Sequence, residues 1–243
     1  MTRKRVLLGM LTPSSNTVLE PVCAAMLRDL PDISTHFARF GVTRIALSGA
    51  ALDQFEIAPM VEAAVLLADA RVRAICWNGT SASWLGLARD RALCAAIAAR
   101  TGIPATSSVL ALADIFRRSG VARFALVTPY LDDVQARIVA NFQDEGFACV
   151  AERHLGISDN FAFSEVAPET LAAMIRDVAT ARPQAVAVLC TNLRAAGLVE
   201  KLERAIGIPI HDSVATALWS SLRLAAVEPS RVVGWGRLFR EVA

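Results

Sequence analysis

The 243-residue chain contains no uninterrupted apolar run near the ~20 residues that a membrane helix needs. Its apolar residues, 54% of the total, are spread over short aliphatic runs and Ala-rich segments. A chain of this length and content builds one large or two small domains. Neither sign of charge dominates: 25 Lys and Arg against 23 Asp and Glu leave a net charge of +2. That balance gives no nucleic-acid footprint and reads the scattered arginines as solvated surface. The three histidines, His36, His154 and His211, stand far apart, and the five cysteines form no CxxC pair or metal spacing, so no metal centre is expected. There is no P-loop, and Gly-x-Gly occurs only as Gly234-Trp235-Gly236 near the end, where it opens no helix. The basic start, Met1-Thr2-Arg3-Lys4-Arg5, leads only into Val6 to Leu11, too short for a secretory apolar region and without a cleavage-like tail. An odd number of cysteines in such a chain implies reduced thiols and a cytoplasmic setting. The expected partners therefore include neither membrane nor nucleic acid, and the chain is expected to be a monomer or homodimer.

Short apolar runs alternate with helical patterns. Val6 to Leu11 reads as a buried strand with Pro13 to Thr17 as its loop, Val18 to Leu30 as a helix, and His36 to Thr43 as a second strand. Asp53 to Asp69 reads as a helix with Met60, Ala63, Ala64 and Leu67 on one face. Val72 to Asn78 is a strand stopping at Gly79, and Ser83 to Thr101 a helix closed by Gly102. The pattern then restarts. Arg123 to Tyr130 echoes Val6 to Pro13, Ala185 to Cys190 echoes the Gly79 strand, and Gly207 to Ser213 echoes Gly102 to Ser108. The three pairs are roughly 105–116 residues apart, the signature of an internal duplication. The fold expected is α/β: two pseudo-twofold-related, Rossmann- or flavodoxin-like parallel-sheet domains with a cleft between them. Residues 1–106 plus 213–243 form the first lobe and 107–212 the second. Ligands in such sheets bind beyond the C-terminal ends of the strands. The tips there carry Pro13 to Asn16, Gly79 to Ser81, Pro129-Tyr130 and Cys190 to Asn192.

A thiol at a strand tip ahead of a helix N-terminus can have its pKa lowered and act as base, acid or nucleophile. The alternative for Cys190 is a small buried apolar residue. Cys23, Cys94 and Cys149 fall on helical or pre-strand positions, and Cys76 on the opposite sheet face from position 79, so all four are read as core or surface cysteines. Thr80, Ser81, Thr191 and Asn192 offer uncharged donors suited to a carboxylate or its enolate, or else they cap helices. Tyr130, the one tyrosine, either donates to an oxyanion or packs beneath its loop. Ser14, Asn16 and Asn160 are loop groups with a turn-forming alternative. Arg44 is a weaker candidate for a carboxylate partner.

These residues resemble the Asp/Glu racemase superfamily, in the branch holding arylmalonate decarboxylase and maleate cis-trans isomerase. The likeness covers nearly the whole chain and rests on Pro13-Ser14-Ser15-Asn16-Thr17, Gly79-Thr80-Ser81, Ala125 to Asp133, Leu155-Gly156-Ile157, Cys190 and Gly236-Arg237-Leu238-Phe239. Racemases and isomerases of the superfamily use two facing cysteines, whereas the decarboxylase has glycine at the first place. Gly79 with Cys190 is similar to the decarboxylase. The resemblance implies cofactor-free loss of CO2 from a malonate-type dicarboxylate, with Thr80, Ser81, Tyr130 and the amides after Cys190 holding the enediolate and Cys190 delivering the proton. Cys190-Thr191-Asn192 departs from the decarboxylase's Cys-Gly-Gly, and Asn16 and Asn160 look like the isomerase's carboxylate-holding asparagines. The substrate implied is a small polar diacid, with maleate-type isomerisation or racemisation as the alternative and carboxylate binding without catalysis as a remote one. A Gly79→Cys change is expected to raise racemase-like exchange of an α-proton and to lower decarboxylation.

Overall fold

The computed structural model describes residues 5–242, so Met1 to Lys4 of the basic start lie outside the described residues. Two four-stranded parallel sheets form the frame. The first has the order β2-β1-β3-β4, built from β1 (Val6–Pro13), β2 (Ile33–Phe40), β3 (Ala74–Trp77) and β4 (Ala105–Ser107). The second repeats it as β6-β5-β7-β8, from β5 (Arg123–Thr128), β6 (Ala148–His154), β7 (Ala185–Val188) and β8 (Ile210–Asp212). Helices α1 (Leu19–Met26), α2 (Gly49–Leu52), α3 (Ile57–Asp69), α4 (Ala82–Leu85), α5 (Leu87–Thr101) and α6 (Ser108–Arg118) connect the first set. The second set is connected by α7 (Asp132–Asp144), α8 (Pro168–Ala179), α9 (Val199–Ile206) and α10 (Ser213–Leu224), and α11 (Leu238–Glu241) ends the chain. Both sheets are covered on both faces, which is why β3 and β7 are wholly apolar instead of alternating.

The core follows from strand parity. Met10, Ala74 and Cys76 turn to one face and pack with Leu218 and Trp219 of α10, while Leu11, Ile75 and Trp77 turn to the other. Cys76 is thus a core residue. On α3, the expected face of Met60, Ala63, Ala64 and Leu67 is the buried one. The last helix of each repeat leaves its own sheet. Phe116 of α6 packs on Phe124 of β5 at 5.2 Å between ring centroids, and α10 returns to β3 and β4. The two crossing helices pack on each other, with Thr216 Oγ1 donating to the Ser108 carbonyl at 3.2 Å.

Some boundaries differ from the sequence reading. The helix expected over Ser83 to Thr101 is split at Gly86, whose φ of 95° a side chain would resist. The first helix stops at Met26 instead of Leu30, because Leu27 already leaves helical backbone at φ −97° and ψ 5°. The second strand begins at Ile33, where pairing with Val6 starts.

Candidate functional site

The cleft is assembled where β3 and β7 end. Beyond Trp77 come Asn78, Gly79, Thr80 and Ser81, and beyond Val188 come Leu189, Cys190, Thr191 and Asn192. The two tips are joined directly. Thr191 Oγ1 donates to the Asn78 carbonyl at 2.8 Å and accepts from Asn16 Nδ2 at 3.1 Å. Thr80 Oγ1 lies 2.5 Å from the Tyr130 hydroxyl, which is hydrogen-bonded to the Cys190 thiol. Either hydroxyl of the Thr80–Tyr130 pair can donate, and the protonated Cys190 thiol can give a hydrogen bond to Tyr130 or accept one from it. The Asn192 N–H also points at Cys190 Sγ, at 3.4 Å.

Pro13, Gly79, Thr80, Ser81, Tyr130, Asn160, Cys190 and Thr191 line one cavity. Its remaining walls are Val42, Ile45, Phe55, Trp77 and Trp84, none of which stood out in the sequence. No lining side chain is charged, so the polar groups an anion meets here are hydroxyls, amides and the Cys190 thiol. The cavity is small, about 20 Å³, room for one water. It is roofed by a clasp between the loops after β2 and β6: Ile45 N–H donates to the Ser158 carbonyl at 2.8 Å and Asn160 N–H to the Thr43 carbonyl at 2.9 Å. A larger cavity of about 290 Å³ lies by Val121, Gln184 and His211. It sits at the strand-start end of the second sheet, away from these tips.

Three of the sequence candidates stand behind the cavity. Asn16 Oδ1 accepts from the N–H groups of Val18 and Leu19 at 3.0 and 2.9 Å, ordering the entry to α1. Asn192 accepts from Thr17 N–H at 3.0 Å and donates to the Asn160 carbonyl at 2.6 Å. Ser14 is exposed and bonds to the Val42 backbone. Asn160 reaches the cavity, but its side-chain amide donates to Ser15 Oγ at 2.8 Å, and Ser15 in turn to the Val42 carbonyl at 2.7 Å. Arg44 is exposed on the clasp. Ser81 Oγ accepts from Trp77 Nε1 at 3.4 Å and makes no capping bond to α4.

Trp77 is the residue that sequence reasoning missed. The signal lay in parity: positions 77 and 79 share a strand face, so a bulky ring two places before a glycine lies over it. The indole is fully buried, 5.0 Å from the Phe40 ring, and fills the space that a side chain at position 79 would enter.

The expectation of a lowered thiol pKa is corrected. No helix starts directly after Cys190; turns and a 3-10 turn at Ala196–Leu198 separate it from α9 at Val199. Burial therefore prevails over the bonds from Asn192 and Tyr130 and pushes the thiol up to about 12. Burial also raises Tyr130 well above the phenol range. Both groups hold their protons at neutral pH. Among the described residues no cluster of three or more His, Cys, Asp or Glu could hold a metal ion, and no helix is long and apolar enough to cross a membrane.

Comparison with known proteins places this geometry. The model of the arylmalonate decarboxylase family matches residues 8–239. Arylmalonate decarboxylase of Bordetella bronchiseptica is 30% identical over 237 residues, covering 96% of both chains. Maleate isomerase of Nocardia farcinica is 29% identical over 243 residues, covering 96% of this chain and 95% of its own. Among solved structures, a mutant Nocardia farcinica maleate cis-trans isomerase with a covalently bound succinylcysteine intermediate superposes with a TM-score of 0.88 at 27% identity, covering 98% and 99% of the two chains. A liganded double mutant of arylmalonate decarboxylase gives a TM-score of 0.83 at 26% identity, covering 98% and 100%.

Proposed function

Because the chain belongs to the arylmalonate decarboxylase family, in the Asp/Glu racemase-like superfamily, we propose that it is a cofactor-independent decarboxylase of a small malonate-type dicarboxylate. The observation that carries this reading is the one-sided cavity: a protonated Cys190 lines it, and a Trp77-covered Gly79 stands where a second thiol would be needed for exchange from both faces. The bond between the α-carbon and one carboxylate breaks, its electron pair stays on the α-carbon, and CO2 leaves. The resulting enediolate accepts hydrogen bonds from Ser81 Oγ, from Thr80 Oγ1 turned away from Tyr130, and from backbone amides of the strand tips. Cys190 Sγ then gives its proton to the α-carbon, and the thiolate takes one back from water. While it waits, the thiolate keeps the Asn192 N–H and the Tyr130 hydroxyl as donors. Decarboxylation makes its own carbanion, so it needs an acid on one face only, whereas racemisation needs an acid and a base on opposite faces.

The second reading is a maleate-type isomerase. It is favoured by the TM-score of 0.88 to the isomerase fold and by Asn160 on the cavity wall, where the decarboxylase reading calls for an apolar neighbour to the departing carboxylate. A protein that binds a carboxylate without turnover is the remaining alternative. One assay separates them. The protein is incubated with methylmalonate, phenylmalonate and maleate while CO2 and fumarate are followed. CO2 from methylmalonate is the expected result; fumarate from maleate with no CO2 from either malonate would sink the first reading.

A further inference from the structure

We propose that the Trp77 indole stands in for the missing second reactive side chain, fixing the site as one-sided and limiting its ligand to a diacid without an aryl group. This rests on the carboxylate-binding reading of the Cys190 cavity. Three observations carry it. First, a Cβ at position 79 would run into the Trp77 six-membered ring, so a side chain there and the indole cannot occupy their places together. Second, the ring is fully buried and lines the same cavity as Cys190 and Gly79, while about 20 Å³ of that cavity is free. Any ligand reaching Cys190 must therefore displace or press on the indole or the clasp. Third, the hold on the ring is light on its polar edge, with Nε1 3.4 Å from Ser81 Oγ, while Phe40 backs the indole in a tilted contact at 5.0 Å and 44°. A ring held this way yields enough for a compact diacid and stays as a wall against a phenyl group.

On this proposal Gly79→Cys alone does not raise exchange, because the added side chain meets the indole before it meets the ligand. Two positions must change together, one to make room and one to supply the thiol.

The test is a double-mutant cycle read in two independent ways. Wild type, Trp77→Leu, Gly79→Cys and the double variant are melted, and Cys190 alkylation by iodoacetamide is followed by peptide mass spectrometry with methylmalonate or phenylmalonate present. Gly79→Cys should lower the melting temperature of the wild type by several degrees and that of the Trp77→Leu protein by much less. Methylmalonate should protect Cys190 in the wild type, and phenylmalonate only once Trp77 is Leu. Trp77→Phe, which keeps a smaller ring, serves the same comparison if the Leu variant does not fold. An equal loss in both backgrounds would overturn the claim that Trp77 fills the place of a side chain at 79. Equal protection of the wild type by phenylmalonate would overturn the size limit. If no diacid protects any of the four proteins, the carboxylate reading itself fails and the size limit fails with it. The melting cycle then still decides what occupies the space above Gly79.

Discussion

A buried thiol is a poor nucleophile and a good reserve of protons. Cys190 is 2% exposed, and its pKa of about 12 is set by burial, with Asp212 adding a further upward push when ionised. The groups that face it are Tyr130, which holds its own proton, and the Asn192 N–H. A free thiol would titrate near ~8.5. The rate of the proposed decarboxylation should therefore hold through pH 8–10, because the acid form of Cys190 persists. A pH–rate profile with a falling limb near 8.5 would contradict this assignment. Alkylation of Cys190 at pH 8 should for the same reason be slower than that of a small-molecule thiol. Replacing the sulfur tests the role more directly. Cys190→Ser nearly keeps the size and replaces the thiol with a weaker acid, so turnover should fall about 10²–10⁴-fold, the range for loss of a positioned acid. Its melting temperature should stay close to the wild type. Tyr130→Phe should cost less, since the Asn192 N–H still meets the sulfur.

At the scale of elements, the N-terminus of α10 carries a second buried acid. Asp212 ends β8 and caps the helix, its Oδ1 accepting from Val214 N–H at 2.8 Å and Ala215 N–H at 3.2 Å. Its Oδ2 is buried without a hydrogen-bond partner, and burial raises its pKa from 3.8 to about 7. A carboxyl with a raised folded-state pKa binds its proton more tightly when folded. The stability this confers is complete below about pH 4 and is lost as pH rises towards 7. Asp212→Asn keeps the capping oxygen and cannot ionise. Its stability relative to wild type should therefore climb between pH 4 and pH 7, as urea unfolding at pH 4.5 and pH 8 would reveal; a constant difference would show that Asp212 does not titrate in that range. Asp212→Ala cannot ionise either, so its stability relative to wild type should climb over the same pH range, lying about 0.5–2 kcal/mol below Asp212→Asn throughout, the value of the cap. The elements themselves were largely legible from sequence because the duplication prints each strand twice. The apolar run of Ala185 to Val188 and the glycines that end helices, Gly102 and Gly207 at φ 72° and 73°, are local signals. The role of Asp212 was not legible, because a carboxylate at a strand end reads the same whether solvent or a core lies beyond it. Trp77 was hidden for a related reason: its strand is apolar on both faces, so hydrophobicity does not mark the ring that turns into a cavity. Asn16 and Asn192 were found as cleft residues and not as the ties behind it, since spacing along the chain says nothing of which loop each amide meets.

At the scale of the molecule, the crossing of α6 and α10 decides how the cleft can open. Each helix is buried against the other repeat's sheet, and the two pack on one another, so rigid separation of the lobes would expose the aromatic cluster of Phe116, Phe124 and Phe142 together with Trp219. That exposure is costly, at roughly 25 cal/mol for each Å² of apolar surface. The clasp is cheaper to part: a few backbone hydrogen bonds between residues 43–45 and 158–160, plus the side-chain relay from Asn160 through Ser15 to the Val42 carbonyl. A site of about 20 Å³ that admits a diacid should thus open at the clasp while the sheets stay fixed. Asn160→Ala removes the relay without touching the Asn160 backbone bonds to Thr43 and Asn192. Hydrogen exchange of the Ile45 and Asn160 amides should then quicken by about fivefold, as expected for losing one net hydrogen bond of about 1 kcal/mol. Amides of α6 and α10 should exchange at the wild-type rate. In the wild type, methylmalonate should slow the Ile45 and Asn160 amides, because an occupied cavity holds the clasp shut from below. Faster exchange spread evenly over α6 and α10 would instead mean that the lobes hinge apart, and the Thr80–Tyr130–Cys190 hydrogen-bond chain would have to re-form at each closure.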